Sequence, residues 1–180
     1  MCIRDRDNAS AELNRFNDYI IKNNYFDLPV VGIEPSCLLT FSDEYQTLKN
    51  VNNREKIKNK FYLLGEFILE QIKNDNSIKM NKFDQNVMIH GHCHQKSQDR
   101  MKGLTNLLSE LNINNKMIES SCCGMAGSFG YDSKTYEVSK KMANLSLIPA
   151  INNSSEKDFI VANGTSCLLY TSPSPRDVCS

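Results

Sequence analysis

The stretch Asn86-Val87-Met88-Ile89-His90-Gly91-His92-Cys93-His94 decides the fold of this chain. Its first half is a short apolar run stopped by Gly91, which reads as a buried strand. Downstream, Met101, Leu104, Leu107, Leu108 and Leu111 recur mostly three or four apart and predict a helix. The short strand Met117-Ile118-Glu119 then empties into Ser120-Ser121-Cys122-Cys123-Gly124. A helix is expected over about residues 132–147, with Asp132 or Ser133 placed to cap it. The run from Asp158 to Ala162 is a further strand, leading to Gly164-Thr165-Ser166-Cys167. Upstream, Leu28 to Glu34 reads as a buried strand running into Pro35-Ser36-Cys37. Between the two halves, Ile57, Phe61, Leu64, Phe67, Ile68 and Ile72 predict an amphipathic helix over 54–74. Strands alternating with helices imply βαβ units, hence an α/β fold with a mainly parallel sheet and cysteine-bearing loops at the carboxyl ends of the strands. Ligands of such sheets sit outside those ends. Cys37, Cys93, Cys122, Cys123 and Cys167 are thus expected to share one rim.

Composition narrows the function. Among 180 residues, 21 Lys+Arg balance 21 Asp+Glu, so no basic stripe is available to follow a phosphate backbone, and nucleic-acid binding is not expected. No apolar run reaches the roughly 18 residues of a membrane span, and no signal-peptide core is present at the start. The expected location is cytoplasmic, or the cytoplasmic face of the membrane through partners. The two ends look foreign: Met1-Cys2-Ile3-Arg4-Asp5-Arg6 back-translates to a string whose reverse complement, in a shifted frame, encodes Cys167-Leu168-Leu169-Tyr170-Thr171. Residues 1–6 and 168–180 are therefore expected to be adapter-derived and to pack on nothing, and the rest to be a fragment of a longer protein.

The five remaining cysteines lie in polar or glycine-containing loops, not on apolar faces, which fits poorly with thiols used as small core hydrophobes. A disulfide framework is disfavoured by the expected compartment and by a chain long enough to bury a core. Thiolates are soft donors suited to zinc, copper(I) and iron–sulfur centres. A zinc site is one reading: His90, His92, Cys93 and His94 form a dense patch, extended alternation would put the three histidines on one face and Cys93 on the other, and zinc could take two of these plus Cys122 or Cys123. The C-x₂₋₄-C and H-x₃₋₅-H spacings of structural zinc are missing, as is the C-x₂-C-x₂-C run of a bacterial ferredoxin.

Cys93 is followed after 28 residues by Cys122-Cys123-Gly124, and after 43 more by Cys167. With VVGIEPSCLLTFSDEY (30–45), HGHCHQKS (90–97), SCCGMAGSFGY (121–131) and VANGTSC (161–167), the chain resembles the cysteine-rich CCG domain family. That family occurs in heterodisulfide reductase, in iron–sulfur subunits of glycolate oxidase and anaerobic glycerol-3-phosphate dehydrogenase, and in lactate-utilisation proteins. The likeness is greatest to the C-terminal part of FAD-linked oxidases with fused iron–sulfur domains. Family domains are commonly duplicated on a C…CC…C-x-x-C plan. The resemblance thus implies that residues 7–50 end a first copy closed by Cys37, that 51–84 are a helical connection, and that 85–167 are a second copy. Thr40 and Tyr170 stand where the second cysteine of each C-x-x-C would be.

The resemblance further implies a 4Fe–4S centre, in some members non-cubane, with Cys93, Cys122, Cys123, Cys167 and Cys37 as ligands. His92, His94, Lys96, Gly124 and Glu34 are candidates for tuning that centre or handling protons, each equally readable as an ordinary loop residue. Gly124 would give the sharp turn by which two adjacent cysteines reach one centre, and the run 124–130 could turn backbone N–H groups toward it. FAD is expected only in segments of the parent outside this chain. The implied partners are a flavin-containing domain or subunit and an upstream ferredoxin-like domain, and the implied activity is part of a lactate, glycolate or 2-hydroxyglutarate oxidoreductase, with this chain inactive alone. Two alternatives stand beside it: a zinc-stabilised binding module, and thiol–disulfide catalysis at Cys122-Cys123.

Overall fold

In the computed structural model, which describes residues 3–57, 59–75, 81–120, 122–127 and 129–171, the chain divides into two units between Phe67 and Ile68. The first unit opens with α1 (Ile3–Lys22), an element outside the expectations above. Its buried positions Ala9, Leu13, Asn17 and Ile20 recur at helical spacing and form the inward stripe. The buried Asn17 is accommodated because its amide donates to the main-chain oxygen of Asn52. Next come β1 (Val30–Gly32) and α2 (Pro35–Ser42), where Glu34 caps the helix by accepting from the Ser36 N–H and hydroxyl, and Pro35 fits a first-turn position that needs no donor. After α3 (Arg54–Ile57), β2 (Phe61–Leu63) pairs in parallel with β1, Val30 opposite Phe61. Leu13, Leu38, Leu39, Ile57, Phe61 and Leu63 make the core of this unit, with Phe41 stacked on Phe61 at 5.1 Å between ring centroids.

Two expectations are corrected here. The single amphipathic helix over 54–74 is instead α3, the strand β2 and then α4 (Leu64–Asn74). Phe61 and Leu63 are both buried, as alternate strand residues facing one core are, and their spacing was compatible with either period. The strand at Leu28–Glu34 shortens to β1 and is not fully buried: Val31 is 38% exposed, and among the described residues β1 pairs only with β2, in a sheet of two strands.

The second unit holds the sheet that the opening stretch predicted. β3 (Val87–His90) is its central strand, flanked by β4 (Asn115–Met117) and β5 (Phe159–Ala162), both parallel to it. The chain runs from β3 through α5 (Cys93–Ser97) and α6 (Lys102–Glu110) to β4, then through α7 (Tyr136–Asn144) and α8 (Leu147–Asn152) to β5, and on into α9 (Thr165–Thr171). The expected helix over 132–147 thus starts later and breaks in two. Asp132 instead closes a turn, accepting from the Lys134 N–H. Strand alternation sorts the core into two layers. Val87, Ile89 and Val161 pack with Met101, Leu104 and Leu108 of the β3-to-β4 connection. Met88, Ile160 and Ala162 pack on the opposite face with Leu147, Ala150 and Ile151 of α8. Helices on both faces of a parallel sheet make this an α/β fold.

Because His90 pairs with Ala162 and Ile89 with Met117, the three strands end level with one another. The loops after β3, β4 and β5 therefore leave from one rim. Cys37 follows β1, which belongs to the other sheet, so the expectation that all five cysteines line the rim of one sheet is corrected to four. Of the end segments, residues 3–6 are part of α1 and 168–171 complete α9, with Asp5, Arg6, Leu168 and Leu169 exposed. Residues 1, 2 and 172–180 lie outside the described residues.

Candidate metal centre

Each strand of the second unit delivers a cysteine to the rim by a different local device. After β3 only Gly91 and His92 intervene before α5 begins at Cys93, and His92 caps that helix, its Nδ1 accepting from the His94 N–H at 3.2 Å. The extended alternation that would align His90, His92 and His94 therefore ends at His92. His94 sits in the first turn of α5, its ring 5.4 Å edge-on from that of His92. After β4, Gly124 takes φ +83°, a left-handed conformation that reverses the chain behind Cys122-Cys123, and its N–H donates to Cys122 Sγ at 3.3 Å. After β5, Gly164 lies against the His92 ring so closely that a Cβ there would stand 2.2 Å from His92 Cδ2. Asn163 beside it donates to Gln95 Oε1 of α5 at 3.3 Å, tying the β5 and β3 loops together. Cys167 then faces inward from α9 and is buried.

These devices bring the four cysteines of the unit together. Cys93 and Cys122 are hydrogen-bonded to each other, and both Cys122 and Cys123 act electrostatically on Cys93. Deeper in, Cys123 Sγ, Cys167 Sγ and a ring nitrogen of His90 all lie within 4.8 Å of one another, and all three residues are buried. His90 is the last residue of β3, 1% exposed, with Nδ1 2.8 Å from Ser120 Oγ. Lys96 of α5 reaches the same residue, donating from Nζ to the Ser120 main-chain oxygen at 2.5 Å and to its hydroxyl at 3.3 Å.

The electrostatics differ between the mouth and the floor. At the floor, the hydrogen bond from Cys167 holds Cys123 far below the ordinary thiol value of 9.0, at about 4, against the opposing effect of burial and with help from His90 and the Met125 main chain. At the mouth, desolvation by the surrounding protein pushes Cys93 up, the neighbouring Cys122 and Cys123 push it further, and Lys96 opposes them. Neighbouring thiolates repel, and a cation among them is what would let all ionise together. The donor set, soft sulfur with one imidazole, suits a metal ion or cluster.

The family model of the cysteine-rich domain CCG matches residues 87–170. Residues 87–170 form a CCG cysteine-rich domain. No solved structure matches the chain. The CCG domain begins at the first residue of β3 and runs into α9, so it coincides with the sheet and loops that carry the site. Of the residues singled out from sequence, the structure gathers Cys93, Cys122, Cys123, Cys167, His92, His94, Lys96 and Gly124 in this domain, while Cys37, exposed at the start of α2, and Glu34, its helix cap, belong to the first unit. As a site residue, His90 was named only with the histidines of the zinc reading, and Ser120 not at all. A lone polar residue ending a buried apolar strand at its carboxyl rim was the available signal for His90. Ser120 carried none, because its partner is 30 positions away.

Proposed function

We propose that the CCG domain holds an iron–sulfur cluster and serves as the electron-transfer module of an FAD-linked 2-hydroxy-acid dehydrogenase or oxidase. The observation that carries the reading is the convergence of Cys93, Cys122, Cys123 and Cys167 from three strand ends, with Cys123 already on the thiolate side at neutral pH. Those residues would hold the cluster, and a cluster bound there supplies one-electron transfer. The chain's own groups do the rest. The Gly124 N–H, directed at Cys122 Sγ, compensates negative charge on sulfur. The buried floor excludes water from the donors. Lys96 sets a positive charge beside Cys93. The partners consistent with this role are a flavin domain or subunit as electron donor and a ferredoxin-like domain next to it. The flavin removes the hydride from the 2-hydroxy acid, which thiolate ligands cannot do. Lactate, glycolate and 2-hydroxyglutarate are the substrates this reading names.

A second reading is a zinc-stabilised module, favoured by the buried His90, Cys123 and Cys167 group, a donor set of the kind zinc accepts. Thiol–disulfide chemistry at Cys122-Cys123 is less well supported, since Cys123 is 2% exposed and out of reach of a large disulfide. The test is an absorbance spectrum with iron, zinc and acid-labile sulfide analysis on anaerobically purified chain. Iron, sulfide and a broad visible band support the cluster. Colourless protein with stoichiometric zinc moves the conclusion to the second reading, and metal-free protein with reactive thiols removes both.

A further inference from the structure

One group at the floor of the site faces the buried thiols. His90 Nε2 is buried and closes no well-formed hydrogen bond among the described residues, its neighbours being the sulfurs of Cys123 and Cys167. Leaving a buried polar atom unpaired costs on the order of 1–3 kcal/mol, so its persistence at the centre of a fold calls for a ligand. Strand parity shows where the ring is aimed. Val87 and Ile89 pack on one face of the sheet, Met88 on the other. His90 shares the parity of Met88, and that is the face on which Cys123 and Cys167 are packed. The three donors lie within 4.8 Å of one another. Donors on a single tetrahedral ion, with bonds of about 2.0–2.3 Å, stand roughly 3.3–3.8 Å apart, so closing on an ion takes shifts of no more than about 1–1.5 Å from this arrangement.

We propose that His90 is a direct ligand of the metal centre through Nε2, beside Cys123 and Cys167, with Ser120 and Lys96 fixing the ring. The inference rests on the reading of the site as a metal centre. The partners accommodate the tautomer an ion needs. A lysine ammonium only donates, so Ser120 Oγ accepts from Lys96, and its other lone pair can take the Nδ1–H of His90 once Nε2 binds an ion. With the proton on Nδ1, the Nε2 lone pair is the one directed at the ion, and the hydrogen bond at Nδ1 both orients the ring and strengthens it as a donor. Among the described residues the domain offers four thiols, of which Cys93 is exposed and Cys122 half-buried. The imidazole is thus the third fully buried donor. With His90 in the place of one of the mouth thiolates, Cys93 or Cys122, the loaded centre is one negative charge lighter, which raises its reduction potential relative to an all-thiolate set.

The test is X-ray absorption at the edge of the metal the chain carries as isolated, or after loading with iron and sulfide, or with zinc alone. The chain has 3 histidines, His90, His92 and His94, so the assignment can be closed by elimination. Imidazole scattering is expected in the parent chain and is expected to persist in the double variant His92→Asn/His94→Asn. It should vanish in His90→Asn, whose amide can keep the bond to Ser120 but has no atom at Nε2. Metal affinity should fall at least tenfold there, and by about 10–100-fold in Ser120→Ala, which keeps the ligand and loses its orienting partner. An all-sulfur shell, or imidazole scattering lost in the double variant, overturns the role of His90 and leaves the metal centre standing. A chain that takes up neither iron nor zinc overturns both.

Discussion

Gly124→Ala is the substitution for which the structure gives the clearest magnitude. Gly124 has φ +83°, where an L-residue carries a cost of about 1–2 kcal/mol. A Cβ on it would also stand 2.5 Å from Ser139 O and 3.0 Å from Ser139 Cα, main-chain atoms of α7 that cannot turn aside as a side chain can. Forcing an atom into such a space costs typically 1–3 kcal/mol more. The expected loss is therefore about 2–5 kcal/mol, a large share of the roughly 5–15 kcal/mol that holds a domain folded. Gly127 is the internal control, with φ +55° and nothing within 4 Å of a Cβ, so Gly127→Ala should lose only the backbone term, about 1–2 kcal/mol. Urea unfolding of the reduced, metal-free chain, followed by circular dichroism, gives both values from midpoints at unchanged slope. Because the Gly124 turn presents Cys122 and Cys123, its variant should also bind less metal per chain, while Gly127→Ala keeps the parent stoichiometry. Equal losses in the two variants, or a loss below about 1 kcal/mol in Gly124→Ala, would refute the argument that α7 walls in this turn.

In the metal-free chain, Cys123 is held at about 4 and Cys93 above the ordinary 9.0, and the two act oppositely on stability. The depressed Cys123 contributes stability fully present above about pH 9 and lost as pH falls through about 4. The raised Cys93 contributes stability present below pH 9.0 and lost above it. The urea midpoint should thus rise from acid toward pH 9 and then decline, with the rising limb flattened in Cys123→Ser; an unchanged limb in that variant contradicts the assignment. Gly164→Ala should displace the His92 ring and with it the cap of α5, costing about 2–4 kcal/mol from overpacking and cap loss. Adding His92→Ala should recover part of this, so strict additivity in the double-mutant cycle speaks against the contact. On the electron-transfer reading, the loaded chain alone leaves lactate, glycolate and 2-hydroxyglutarate unoxidised. In a full-length parent Cys123→Ser should slow acceptor reduction while flavin bleaching by substrate continues, and stopped-flow traces with acceptor reduction unchanged would take this site off the electron path.

The central sheet was legible because its signals agree. Val87-Met88-Ile89 and Phe159-Ile160-Val161 are short apolar runs cut off by glycine-containing loops, and the helices between them have clean apolar stripes. The first unit was less legible for two physical reasons. Ile57, Phe61, Leu64, Ile68 and Ile72 satisfy a helical period even though Phe61-Tyr62-Leu63 is a strand, since periodicity alone cannot separate a short buried strand from a turn of helix. Which strand pairs with which is also not a local property, so nothing near Cys37 reveals that β1 joins β2 and not the larger sheet. At the site, cysteine spacing pointed to Cys93, Cys122, Cys123 and Cys167, and the domain gathers them. His90 entered only as one of three interchangeable histidines of the zinc reading, because counting alternation through His94 treats an early helix as strand; once α5 starts at Cys93, only the parity of β3 remains, and that parity singles out His90.

The place of the site follows from the order β4-β3-β5. Leaving β3, the chain crosses one face of the sheet by α6 to reach β4; leaving β4, it crosses the other face by α8 to reach β5. The loop after β3 departs toward the α6 face and the loop after β5 leads to α9, whose Cys167 packs on the α8 face, so these adjacent strands send their loops to opposite faces, and the crevice between them is where α/β sheets bind their ligands. Here that crevice is drawn tight by Gly164 under the His92 ring and by the bond from Asn163 to Gln95. The apolar layer of Met88, Leu147, Ile151, Ile160 and Ala162 encloses Cys123 and Cys167 from below. Such surroundings oppose a bare thiolate, and the depressed state of Cys123 is reached because Cys167, His90 and the Met125 main chain all turn toward it. Three donors that sustain one buried negative charge, at the switch point of a parallel sheet and beside two further thiols at its mouth, form a set that a cation would complete.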